Sequence, residues 1–318
     1  MKTVGVFGKL PSHPDFIRIN AGGPGARAWD EWISAGLEAA RRSWSSGWEE
    51  RFDQASPLSF VVHPAEDPAE AMVGYCRPGS DRSGRRYPFS IFAEVKLDKS
   101  GRGTLALPFA ALHFLEESAR ITQGDAALAS DPAEVAQLQS LLIPTTDASR
   151  LLPDLMKRTT MQEFWESVVG NFKAPRKHLL VKNLFGVLAP LRGYEPSRLS
   201  MGLRLPGSHA GRLSPTITMT IWGLLCRAVV GEAAMSTAAL FWQGPGPTER
   251  PSCFLFFHMP SPTLLPALLS PANDCEQIWD LETMGQDKEA EAAHALGPAI
   301  TGVLDSPQYG ILDFVQRI

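Results

Sequence analysis

No two cysteines in this 318-residue chain stand close enough to form a C-x-x-C motif. The four are Cys76, Cys226, Cys253 and Cys275. Their spacing excludes a zinc knuckle and a local redox pair. A chain of this length does not need a disulfide framework, so they read as small buried hydrophobes. The histidines are equally scattered: His13, His63, His113, His178, His209, His258 and His294 form no H-E-x-x-H and no tight pair. No metal and no cofactor is expected. A G-x-S-x-G elbow for a serine nucleophile is missing as well. Carboxylate neighbours such as Glu49-Glu50 and Glu116-Glu117 fall in helical stretches, where adjacent side chains point different ways, so they make poor acid/base pairs.

Long apolar runs are lacking too. The longest, Ile217 to Val230, contains Thr218, Thr220 and Arg227 and falls short of a membrane span. Met1-Lys2-Thr3 leads into a run interrupted at Lys9, too short for a secretory leader. The reading is therefore cytoplasmic. A net charge of −4 and a pI near 6.0 give no general attraction to nucleic acid or anionic membrane. There is no internal repeat.

What is present is ordinary globular material, 44% hydrophobic and 20% charged, enough for one or two domains. Thr3 to Phe7 reads as a strand. From Pro24 a helix is expected, because Trp29, Trp32, Ile33, Gly36, Leu37, Ala40, Trp44 and Trp48 recur at helical spacing opposite a charged side. Leu58–Val62, Ala71–Cys76 and Tyr87–Leu97 read as strands close enough in sequence to pair antiparallel. Pro108 to Ile121 is expected to be helical with Phe109, Leu112 and Leu115 inward. Asp131-Pro132-Ala133-Glu134 starts another helix, and Thr160 to Glu163 forms a capping box for a third.

Polar composition over Thr145 to Leu152 marks a boundary between an N-terminal α/β domain, 1–145, and a C-terminal α/β region, 146–318, packed with it. Beyond it, Leu179–Leu188 reads as a strand, and periodicity leaves Thr216–Val230 open. Ala238–Trp242 and Cys253–His258 read as strands around a Gly/Pro-rich loop. Pro262–Leu269 reads as a short helix, and Ser306–Ile318 as a last amphipathic stretch. The fold class expected is α/β, with a mainly antiparallel central sheet flanked by helices.

Gly5-Val6-Phe7-Gly8-Lys9-Leu10-Pro11 invites comparison with a phosphate-binding loop. It fails. That motif needs four residues between its glycines and a hydroxyl after the lysine; here two residues separate the glycines and Leu10 follows Lys9. Pro11 and Pro14 offer no amide donor. A second local feature is charge: Arg77, Arg82, Arg85 and Arg86 surround Asp81 on one Gly/Pro/Ser-rich loop. Arginine forks bind carboxylate and phosphate, and Asp81 would position one of them or cap the turn.

Three segments in register resemble the TagF family, also called ImpM, of type VI secretion accessory proteins. The first is Gly5 to Pro11 followed by Asp15-Phe16. The second is Trp29 to Leu37, extended by Trp48 and Phe52. The third is Arg77 to Phe89. Pro14 stands where the family has glycine, and Gly79 is inserted into the family's Pro-Ser pair. Weaker likenesses occur at Leu240 to Gly244 and Met259 to Pro262. The resemblance implies a non-enzymatic cytoplasmic regulator that represses type VI secretion post-translationally by binding a forkhead-associated scaffold protein. Asp81, Arg82, Arg85 and Arg86 would then be partner-contacting or loop-organising. Gly8, Lys9, Pro11, Asp15, Phe16, Trp29 and Trp32 would be structural. Two alternatives stand beside this: an enzyme on an anionic small molecule held by the Arg loop, with His63 or His113 as acid/base, and a structural subunit contacting its partner through the second half.

Overall fold

The computed structural model describes residues 3–44, 46–65, 67–97, 103–123, 131–209, 213–243, 251–270 and 275–318. The first part supplies β1 (Thr3–Gly8), β2 (Ile17–Ile19), α1 (Pro24–Trp44), α2 (Trp48–Asp53), β3 (Leu58–Val62), β4 (Glu70–Arg77) and β5 (Phe89–Lys96). Then come α3 (Leu107–Ala110), α4 (Leu112–Gln123), α5 (Pro132–Leu138), α6 (Thr145–Arg158), α7 (Met161–Val169) and α8 (Arg176–Leu188). The remainder is β6 (Gly202–Pro206), α9 (Pro215–Val230), β7 (Ala239–Gln243), β8 (Ser252–Phe256), α10 (Leu265–Leu269), β9 (Ile278–Asp280), α11 (Glu289–Leu296), α12 (Pro298–Leu304) and α13 (Ile311–Arg317).

The described strands form one sheet in the order β2-β1-β5-β4-β3-β7-β8-β6-β9. Every pairing is antiparallel except β6 with β9. The fold is α/β with an open, mainly antiparallel sheet. Position 145 does not divide that sheet, since β3 pairs β7, with Ser59 opposite Trp242.

Both faces of the sheet are covered, so its central strands are apolar on both sides rather than alternating. Along β4, Ala71, Val73 and Tyr75 join one core while Met72 and Cys76 join the other. Along β7, Leu240 and Trp242 face the first core and Ala239 and Phe241 the second. The larger core takes the helices from α3 onward except α10, whose Leu265, Leu268 and Leu269 join the smaller one. The smaller is roofed by α1, whose Trp29, Trp32, Ile33, Leu37, Ala40 and Trp44 are buried. Trp29 stacks on Phe60 of β3 with centroids 4.2 Å apart, and Trp32 lies 5.9 Å from Phe241 of β7. The Trp32 indole donates to the Pro260 carbonyl at 2.7 Å. One helix face thus spans strands from both parts of the chain.

Several expectations change. Leu179–Leu188 is not a strand but lies in α8. That helix is buried nearly all round, including Leu179, Leu180, Val181, Leu184 and Val187, so it has no amphipathic period to betray it. Thr216–Val230, left open, is also helical, in α9, capped by Ser214 accepting from the Ile217 amide at 3.2 Å. The Pro108–Ile121 helix breaks at Ala111; Phe109 and Leu112 are half-buried, while Ala110, Phe114 and Leu115 face the core. Trp48 does not continue α1. Gly47 turns the chain at φ 90° and Trp48 opens α2, half-buried. Thr145–Leu152 lies within α6, polar because one side is solvated and Ala148 and Leu152 alone of that stretch are buried. The loop at 244–250 lies outside the described residues. Asp131 caps α5 by accepting from the Ala133 amide, and the Thr160–Glu163 capping box closes α7.

Two outcomes follow from this arrangement. Trp32→Ala should cost about 3–5 kcal/mol in urea unfolding, against about 1 kcal/mol for Thr160→Ala. A 1–145 fragment loses β7 from β3 and should give no cooperative unfolding transition by circular dichroism.

Candidate functional site

The three motif segments meet at one end of β1, β4 and β5. Leu10 to His13 forms a turn closed by the His13 amide on the Leu10 carbonyl at 3.0 Å, with Pro11 at the second position, where a fixed φ suits it. Just before it, Gly8 has φ 138°, and a Cβ there would lie 2.1 Å from the Pro88 carbonyl oxygen. A side chain is therefore excluded, and the first segment rests directly on the third. The inserted Gly79 answers from the other side: its Cβ would lie 2.4 Å from the Lys9 carbonyl.

The third segment is a small hairpin. Ser80 pairs with Arg86, the Asp81 amide donates to the Arg85 carbonyl at 3.1 Å, and the Gly84 amide closes the tip on Asp81 at 2.9 Å. Asp81 organises it. Its side chain is fully buried. Oδ1 accepts from the Ser83 amide at 3.0 Å, the Ser83 hydroxyl at 2.8 Å and the Arg85 amide at 3.0 Å. Oδ2 accepts from Arg85 Nε at 2.7 Å and meets Lys9 Nζ at 3.0 Å. Burial alone would raise this carboxyl's pKa. The Lys9 ammonium, the Ser83 hydroxyl and both Arg85 donors outweigh it and hold Asp81 well below the usual carboxylate range.

Lys9 is thus the buried counter-ion of Asp81, with 7% of its side chain exposed. Its ammonium also lies 4.7 Å from the centre of the Phe16 ring. Phe16 stacks on Phe7 at 5.3 Å and meets Tyr87 edge-on at 4.9 Å. Asp15 is exposed, accepts from the Phe16 amide at 2.9 Å, and lies 3.8 Å from Arg85 Nη2.

The arginines reach back to the rest of the knot. Arg82 donates its amide to the His13 carbonyl at 2.9 Å and its Nη2 to the Ser12 carbonyl at 3.0 Å. Arg85 Nη2 donates to the Pro14 carbonyl at 3.1 Å. Arg86 grips both Asp53 oxygens of α2, at 3.0 and 2.8 Å, and lies 3.2 Å from Glu49; Asp53 raises its pKa. Tyr87 donates its hydroxyl to Asp30 Oδ1 of α1 at 2.5 Å. Burial and that carboxylate keep the phenol above its ordinary range. Trp29 Nε1 donates to Ser90 at 3.3 Å.

Asp81, Arg82, Arg85, Arg86, Gly8, Lys9, Pro11, Asp15 and Phe16 therefore lie in one assembly. Trp29 joins it at the margin through Ser90, and Trp32 lies farther along α1 against Phe241. Asp30, Glu49 and Asp53 were missed from the sequence. They stand on helices as ordinary solvated acids, and nothing local marks their distant partners. Arg77 belongs to the third segment but has no place in this network. The two histidines weighed as acid/base contact none of these arginines. His63 is buried, with Nδ1 3.0 Å from the carbonyls of Asp67 and Glu70 and Nε2 3.1 Å from Thr104, and burial lowers its pKa. His113 is exposed beside Glu116. The described residues contain no group of metal ligands.

Residues 5–142 match the family model of the TagF N-terminal domain, type VI secretion system-associated. Over those residues the chain carries a domain similar to that family's. It is also similar to the crystal structure of PA0076 from Pseudomonas aeruginosa PAO1, at 14% identity and a TM-score of 0.47, over 86% of this chain and 96% of that one. No curated protein matches. Among the described residues no helix is long and apolar enough to cross a membrane.

Since its pKa is lower folded than unfolded, charged Asp81 stabilises the fold above the ordinary aspartate range, near about 4, and this contribution disappears as pH falls through the lowered folded value. Asp81→Asn should unfold in less urea than the parent at neutral pH, with the gap closing in acid. A gap of constant size down to about pH 2 would contradict this. Tyr87→Phe leaves Asp30 without its donor and should cost about 1.5 kcal/mol.

Proposed function

We propose that the protein is a non-enzymatic regulator of a type VI secretion system that acts by binding another protein, the forkhead-associated scaffold component, and represses secretion post-translationally. The observation supporting this is the convergence of the three family segments. Residues far apart in sequence are used to hold one hairpin in a fixed shape. Asp81 and Lys9 neutralise each other under it, Arg86 is held by α2, and Arg82 and Arg85 are fixed on backbone carbonyls. Charged groups spent on mutual support favour a preorganised contact surface over proton transfer. A preorganised surface binds with less ordering cost than a loose loop.

The test is made in the native cell. A tagged chain should co-purify with the forkhead-associated component of the same secretion system, and deletion of the gene should raise secretion. No association together with unchanged secretion would contradict the proposal.

A further inference from the structure

His63 stands outside the motif assembly, at the seam where the two parts of the sheet join. It follows β3 directly, and the end of β3 pairs with the start of β7, Val61 opposite Leu240. Its side chain and that of Thr104 are buried. Nδ1 lies 3.0 Å from the Asp67 carbonyl and 3.0 Å from the Glu70 carbonyl. Nε2 lies 3.1 Å from Thr104 Oγ1. That hydroxyl in turn lies 3.1 Å from the carbonyl of Ser236, just before β7.

Each hydrogen along this run can be assigned. A carbonyl oxygen only accepts, so Nδ1, set between two of them, carries a hydrogen. The Thr104 hydroxyl has one hydrogen and two acceptors for it, the Ser236 carbonyl and the Nε2 of a neutral ring. With a neutral ring the run is therefore one hydrogen short. A second ring hydrogen completes it: Nε2 donates to Thr104, and Thr104 donates to Ser236. Burial opposes the charge this brings and lowers the ring's pKa, while the two carbonyls and the Asp67 carboxylate favour it. The β3–β4 loop thus presents Asp67 to the ring, and β4 presents the Glu70 carbonyl. The segments before α3 and before β7 present the Thr104 hydroxyl and, through it, the Ser236 carbonyl.

We propose that His63 is a proton-operated latch between the two parts of the sheet: protonation turns the Thr104 hydroxyl from the ring to Ser236 and fastens the entry of β7 to the end of β3. With the ring neutral, the hydroxyl serves Nε2 and the Ser236 carbonyl is released. The latch acts against the stability of the whole fold, and the sign is definite. The ring takes its proton less readily folded than unfolded. The stability contributed by the neutral ring is therefore full above the ordinary histidine value of 6.5 and is lost as pH falls from there to the lowered folded value. Acid fixes the seam locally while it reduces the margin of the fold.

The test follows the His63 ring nitrogens and the Ser236 carbonyl carbon by NMR of the full-length, isotope-labelled chain, from about pH 8 down to acid unfolding. At the start the ring should carry its hydrogen on Nδ1 alone. On acidification both nitrogens should become hydrogenated, and the Ser236 carbonyl shift should follow with the same midpoint. Thr104→Ser should keep this coupling. In Thr104→Val the Ser236 shift should no longer track the ring. The ring's midpoint should also fall by roughly one pH unit there, because the charged form has lost its acceptor. Hydrogen on Nε2 alone at the start, a ring that stays neutral until the chain unfolds, or a Ser236 shift indifferent to the ring would each overturn the latch. So would a Ser236 shift that tracks the ring equally in Thr104→Val. Should Thr104→Val not fold, the parent and Thr104→Ser titrations decide.

Discussion

A buried ion pair between Lys9 and Asp81 joins two segments about seventy residues apart, and the candidate site depends on it. Each partner would be costly to bury alone. Asp81 accepts from the hairpin's own amides and from Arg85, so the same carboxylate shapes the loop and fastens it to the first strand. Lys9 in turn lies over Phe16, which packs between Phe7 and Tyr87. Removing the charge from either end leaves the other buried without its main counterweight.

The second segment connects this knot to the rest of the sheet. Asp30 of α1 takes the Tyr87 hydroxyl, while Trp29 and Trp32, on the inner side of that helix, lie on β3 and β7. The aromatic stripe therefore fixes the helix across strands contributed by both parts of the chain. The hairpin is presented rigidly because its charges are satisfied from within.

The legible parts of the fold were those set by local rules. The amphipathic face of α1, the caps at Asp131 and Thr160, and the strands β3, β4 and β5 all carry their signal in adjacent residues. α8 did not, because a helix buried on nearly every side has the same apolar run as a central strand. β2 and β9, three residues each, are too short to show a period, and β6 runs from Gly202 to Pro206, bounded by two residues that argue against a strand. At the site, sequence could place an aspartate among arginines. It could not show that Lys9 would be the counter-ion, nor that Asp30 and Asp53 would be partners, since those pairings depend on the folded sheet. The failed phosphate-loop spacing of Gly8-Lys9 acquires a positive meaning: glycine for a close backbone approach, lysine for a buried carboxylate.

The account stands on the first and third segments being one energetic unit. A double-mutant cycle between Lys9→Met and Asp81→Asn, read as urea unfolding midpoints at neutral pH, measures that directly. Each single change should lower the midpoint, and the double change should lower it by clearly less than the sum of the two. Strict additivity would contradict the account, since the two side chains would then contribute independently and the hairpin would not be held by the strand beneath it.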